Sequence, residues 1–172
     1  MSVALGLALV AVVAFGINDL LIKRAVQAGA LPHQLVMVMG IVGAVLSLGY
    51  ALAFGRFHPS VYALWGSLAG VLAYFSFVLF SQSMKQGAAS VAAPVFRLNF
   101  VVTAVLAVIF LGESITALKL IGFAFAILAI WLLLLQSKVR ELSVPKSAML
   151  PLLTATLLGG ISFFFSKVGT SV

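Results

Sequence analysis

The chain contains no cysteine, two histidines and three acidic residues (Asp19, Glu113 and Glu141) in 172 positions. Without cysteine there are no disulfides, thiolate metal sites or thiol nucleophiles. His33 and His58 each fall beside a break between apolar runs, so no metal site and no cofactor are expected. A nucleophile elbow, a phosphate-binding glycine loop and a zinc-type histidine pair are also missing, and Asp19 has no second aspartate to pair with, which argues against an enzyme. Charge of either sign is scarce. Charged residues make up 8% of the chain, against about a quarter in a soluble domain. A surface so poor in charge has to face lipid.

Apolar residues are abundant, at 64% of the chain, with a mean hydropathy of +1.29. The net charge of +7 comes from lysines and arginines between apolar runs, the placement that the positive-inside rule describes. They do not interleave with aromatics on a polar face, so nucleic acid is not an expected partner. The N-terminus has no basic segment ahead of its apolar run and reads as a retained helix rather than a signal peptide.

Six spans can be drawn, at residues 3–23, 34–55, 61–84, 88–111, 116–136 and 148–168. Each is near the roughly 20 residues a helix needs to cross the hydrocarbon core. Gly29 and Pro32 mark the first break, the segment from Gly55 to Pro59 the second, and Lys85-Gln86-Gly87 the third. Gly112-Glu113-Ser114 marks the fourth, with Thr116 as a cap, and Gln136 to Lys146 is the longest loop. The runs are continuous rather than alternating, which argues against a β-barrel. The fold class is therefore all-α and integral to the membrane, a polytopic bundle of about six helices. Small residues at Gly40, Gly43 and Ser47 and at Gly66 and Gly70 mark candidate close-packing seams.

Few polar residues fall at membrane depth. Arg97 lies about ten residues into span four, where a charge costs at least about 2.5–3.5 kcal/mol and must face a cavity or a partner. Ser90, Pro94 and Arg97 share one helix face, and Asn99 lies roughly 200° away. Pro94 removes a backbone hydrogen bond and can break the helix, a device that builds substrate sites in transporters. Two readings of Arg97 stand side by side: a cavity-lining group for an anionic solute, or a buried ion pair with Asp19. Asp19 and Lys23, four apart at the end of span one, suit a helical ion pair. Asp19 could otherwise be a proton-coupling carboxylate, but a place near the helix end argues against that.

Gly16-Ile17 with Lys23 recurs as Gly160-Ile161 with Lys167, at an offset of 144 that also aligns Ala11 with Ala155. The sixth span thus reads as a second copy of the first.

Ala88-Ala89-Ser90-Val91-Ala92-Ala93-Pro94, followed by the segment from Ala107 to Glu113, resembles the fourth helix of the EamA domain. The stretch Leu120-Ile121-Gly122-Phe123-Ala124, leading to Trp131 and Leu132–Leu134, resembles the fifth. The resemblance is to the drug/metabolite transporter superfamily. It implies residues 1–140 as one five-helix domain, 141–147 as a loop and 148–172 as the first helix of a second, incomplete repeat. An odd number of helices per half inverts the second copy, which is the symmetry alternating access uses. The resemblance places helices three and four on the substrate path, pointing to Tyr74, Gln82, Pro94, Arg97 and Asn99. It also implies a cytoplasmic N-terminus. Counting basic residues gives two against six and places the N-terminus outside.

The expected function is secondary transport of a small metabolite or drug-like solute across the plasma (inner) membrane, by proton coupling or exchange. The expected partners are the lipid bilayer, the solute and, if the chain is truncated, a second copy as a homodimer. The alternatives are a non-transporting membrane subunit or scaffold and an inactive transporter fragment.

Overall fold

The computed structural model describes residues 3–55, 61, 63–139 and 145–170. The described residues form helices and short turns with no strand: α1 (Val3–Gln27), α2 (Pro32–Ala53), α3 (Ala63–Gln86), α4 (Ala89–Arg97), α5 (Asn99–Leu111), α6 (Ala117–Val139) and α7 (Lys146–Thr170). In hydrocarbon every backbone polar group must be satisfied internally, and long helices do this. Five helical stretches are long and apolar enough to cross a membrane, with α4 and α5 counting together as Ala89–Leu111, and α6 adds the shorter apolar stretch Ala117–Leu132. The chain is a polytopic membrane helical bundle. Outward residues such as Leu7, Val10, Leu46, Ile109 and Leu150 are large, apolar and exposed, as lipid-facing residues should be.

The breaks follow the local chemistry. Pro32 opens α2, where its missing N–H costs nothing. Gly112 ends α5 at φ 63°, a left-handed turn that favours glycine. Thr116 Oγ1 accepts the Lys119 N–H at 3.4 Å in the first turn of α6. The break expected between Arg56 and Pro59 and the loop residues 140–144 lie outside the described residues. Helix α6 runs on to Val139, beyond the end expected at residue 136.

Helix α7 is the spine of the bundle. It packs antiparallel along α3 and also meets α4 and α5. Ser147 Oγ donates to Gln86 Oε1 at one end, Ser76 Oγ to the Ala155 carbonyl in the middle and Ser162 Oγ to the Ala69 carbonyl further along. Beyond them Trp65 stacks on Phe165 at 5.4 Å. At one end of the bundle the core closes around Phe80 and Phe96, stacked at 4.1 Å, with Ile22, Val26, Met84 and Leu152 around them.

The tight helix crossing is not at the expected small-residue seams. A Cβ built at Gly40, Gly43, Gly66 or Gly70 meets nothing within 4 Å. At Gly160 it would stand 2.7 Å from Val102 Cγ1 and 2.8 Å from the Asn99 carbonyl, and at Gly159 it would stand 3.0 Å from Ser76 Oγ. Helices α5 and α7 therefore touch backbone to side chain at Gly160. Thr103 Oγ1 lies 2.9 Å from the Gly160 carbonyl and 3.0 Å from that of Asn99, so its proton ties this crossing together. Gly16, the sequence counterpart of Gly160, has open space around it. Gly160→Ala is expected to cost about 1–3 kcal/mol by overpacking. In the chain without a partner unit, Gly16→Ala should be neutral or stabilising, because its Cβ meets nothing and alanine is the better helix former. Thermal midpoints of the two variants in detergent check this.

Candidate functional site

Span four is one apolar stretch in sequence but two helices in space. Pro94 has no N–H to donate to the Ser90 carbonyl. One turn later the Leu98 N–H goes to the Val95 carbonyl at 3.0 Å, and the Val101 N–H to the Leu98 carbonyl at 2.9 Å. These three-residue bonds tighten the chain, and Leu98 (φ −62°, ψ −7°) ends α4 and begins α5. Arg97 thus occupies the last turn of α4, where the helix dipole favours a cation.

The Arg97 guanidinium donates from Nη2 to Asp19 Oδ2 on α1 at 2.6 Å. The Asp19 side chain is about nine-tenths buried, whereas Arg97 keeps 32% of its own exposed. Asp19 Oδ1 has no hydrogen-bond partner among the described residues. Two rings flank the cation, with Arg97 Cζ 4.8 Å from the Phe15 centroid and 5.8 Å from that of Phe96, within cation–π range. Asp19 is eight residues before the end of α1 at Gln27, and Arg97 is eight residues after the start of α4 at Ala89. At a 1.5 Å rise both lie about 12 Å inside their helices. Asp19 is therefore deeper than expected, because α1 continues past Lys23 to Gln27.

The four-residue spacing of Asp19 and Lys23 does not produce their pairing. Lys23 Nζ turns to α3 and donates to the carbonyls of Met84 and Gly87, the latter at 2.7 Å. It satisfies carbonyls that the end of α3 leaves open, the usual role of a lysine at a helix C-terminus.

The remaining candidates are dispersed. Pro94 is half-buried beside Arg97 in the same helix. Asn99 is buried on the other side of the break, against Gly159, and its Nδ2 has no acceptor among the described residues. Tyr74 lines a separate crevice of about 350 Å³ between α2 and α3. Gln82 is on the exposed side of α3. Glu113, in the turn before α6, meets Lys167 at 2.6 Å. The hydrogen bond from Lys167 holds its carboxyl below the ordinary range, and the charges of Lys167 and Lys119 add to this.

Sequence reasoning missed Phe15, whose role depends on a partner from α4, and Ser76 and Ser162, whose bonds depend on the register of α7. The signal for the two serines was their place in otherwise apolar runs.

A polytopic helical bundle with a charged pair and a broken helix at membrane depth has the architecture of a solute carrier. The description "EamA-like transporter family" matches residues 2–135. The chain belongs to that family, whose members are membrane transporters of the drug/metabolite transporter superfamily. No curated protein and no solved structure gives a match.

Removing one member of a buried pair leaves the other uncompensated, which costs about 3–5 kcal/mol. With Arg97 one-third exposed, Arg97→Ala should fall toward the lower end of that range. The double variant Asp19→Asn/Arg97→Gln should recover most of the loss, since no charge is left stranded. A double-mutant cycle on thermal unfolding in detergent measures the coupling.

Proposed function

We propose that this chain moves a small, anion-bearing metabolite or drug-like solute across the plasma (inner) membrane by alternating access, as a secondary transporter. The observation that carries the reading is the Arg97–Asp19 pair at the break of span four. A charge kept at this depth against its insertion cost calls for a function. Arg97 is already desolvated on one side, held between Phe15 and Phe96, and open enough to accept a second anion. A carboxylate or other anionic group on the solute would take Arg97 from Asp19. Asp19, left buried, would then bind a proton, because burial disfavours an unpaired carboxylate. Solute movement and proton movement would be coupled through one arginine. The depth of Asp19, two turns inside α1, removes the argument from position against this role.

The internal repeat supports a site completed by a second five-helix unit, from a longer chain or a second copy. Gly160 is buried and Ile161 half-buried, whereas their counterparts Gly16 and Ile17 sit on an open face of α1. By the pseudo-symmetry of inverted repeats that face would meet the partner unit. A scaffold is the competing reading, and it treats the pair as purely structural.

Uptake into vesicles separates the two. With a panel of small anionic, neutral and cationic solutes, the protein should move anionic solutes, and an imposed proton gradient should change the rate. Arg97→Lys keeps the charge but loses the planar fork that can hold two carboxylates at once. It should slow transport by about tenfold or more, the effect of losing about 1.4 kcal/mol. Unchanged rate and selectivity in Arg97→Lys and Arg97→Ala would remove Arg97 from the path.

A further inference from the structure

Among the described residues helix α6 meets the bundle chiefly at α4 and lies less closely against α5. Phe123 on α6 stacks on Phe100 of α5 at 5.6 Å, and beyond that contact a cavity of about 410 Å³ opens between α5, α6 and α7. Its walls are mainly apolar, built from Ala104, Val108, Phe123 and Phe163, with Asn99 and Thr103 at the inner end. Its rim is charged. Glu113, in the turn between α5 and α6, pairs with Lys167 of α7, and Lys119 of α6 acts on the same carboxylate. Two lysines against one glutamate leave the rim with one surplus positive charge.

The position of this rim decides what the cavity fits. Gly112 to Thr116 connect the span Ala89–Leu111 to the apolar stretch Ala117–Leu132, a turn that places the three charged groups at headgroup level. An apolar slot running into the bilayer from a basic rim at headgroup level matches an acyl chain carrying an anionic head. A second cavity on α6, of about 470 Å³, is an internal contrast. It is lined by Leu98, Val101, Ile127 and Trp131 and has no charged residue on its wall.

We propose that the α5–α6–α7 cavity is a binding site for an anionic phospholipid. One acyl chain lies against Ala104, Val108, Phe123 and Phe163. The phosphate is met by Lys119, with Lys167 held beside it by Glu113. The lipid fills the gap that α6 leaves and fixes α6 to the bundle on the side where protein contacts are missing. Neither Arg97 nor Asp19 lines this cavity.

Tryptophan quenching by brominated lipids tests this in vesicles. One protein keeps Trp131 as its single tryptophan, with Trp65→Phe. A second carries Phe163→Trp with Trp65→Phe and Trp131→Phe. Brominated phosphatidylglycerol should be preferred over brominated phosphatidylcholine at position 163 by about fivefold, the ratio that one basic residue near the bilayer surface supplies. At Trp131 the two lipids should quench alike, and Lys119→Gln should abolish the preference at position 163. If Phe163→Trp fails to fold, Phe123→Trp places the reporter on the opposite wall. Equal quenching by the two phospholipids at position 163 would overturn the proposal, as would a preference that survives Lys119→Gln. Stronger quenching by a brominated free fatty acid than by the phosphatidylglycerol would also overturn it, because the occupant would then be a different amphiphile.

Discussion

The whole arrangement depends on the backbone at Leu98. In hydrocarbon an unsatisfied backbone group costs several kcal/mol, so a helix can break there only where protein closes around it. Here α7 supplies the closure. Gly160 lets α5 come close enough for Thr103 to share its proton with the carbonyls of Asn99 and Gly160. Serines along the seam fix the register of α7 against α3. With the break held in place, Arg97 is delivered to the end of α4 at the depth of Asp19, and Asn99 is turned to the opposite side. Filling the space at Gly160 would move the break, and with it the arginine.

The ion pair is asymmetric. Asp19 is buried and uses one oxygen, whereas Arg97 is partly open and is held by aromatic faces as well as by charge. A purely structural pair gains most when both partners are fully hydrogen-bonded, since desolvation otherwise exceeds the attraction. A half-satisfied carboxylate facing a reachable guanidinium suits an exchange of partners better than a permanent clasp. The pair also joins α1 to the broken span.

Much of the fold was legible in the sequence because lipid imposes a simple rule: long apolar runs become helices, and glycine, proline and charge interrupt them. The spans and the breaks at Pro32 and Gly112 could be read that way. The interruption of span four at Pro94 could be suspected, although its site at Leu98 depends on how the bond pattern shifts one turn later. Arg97 stood out as a charge in an apolar span. Its partner was less clear, because spacing alone favoured Lys23 for Asp19, and only the packing of α1 on α4 brings Arg97 to the aspartate. The close crossing was illegible in the same way. Several glycines recur at similar spacing, and which of them is crowded depends on the partner helix. The sequence match aligns Gly160 with Gly16 but carries no sign that one is packed and the other open.

The central claim is that the Arg97–Asp19 pair borders a water-accessible path rather than dry packing. A cysteine-free chain makes this directly measurable, since a thiol reacts with a charged, membrane-impermeant reagent only where water can ionise and reach it. Phe15, half-exposed beside Arg97, and Val13, more exposed and two residues away on the same helix, lie at nearly the same depth. Rapid labelling of Phe15→Cys with little labelling of Val13→Cys is the predicted result. Failure to label Phe15→Cys, or equal labelling of the two, would contradict the account.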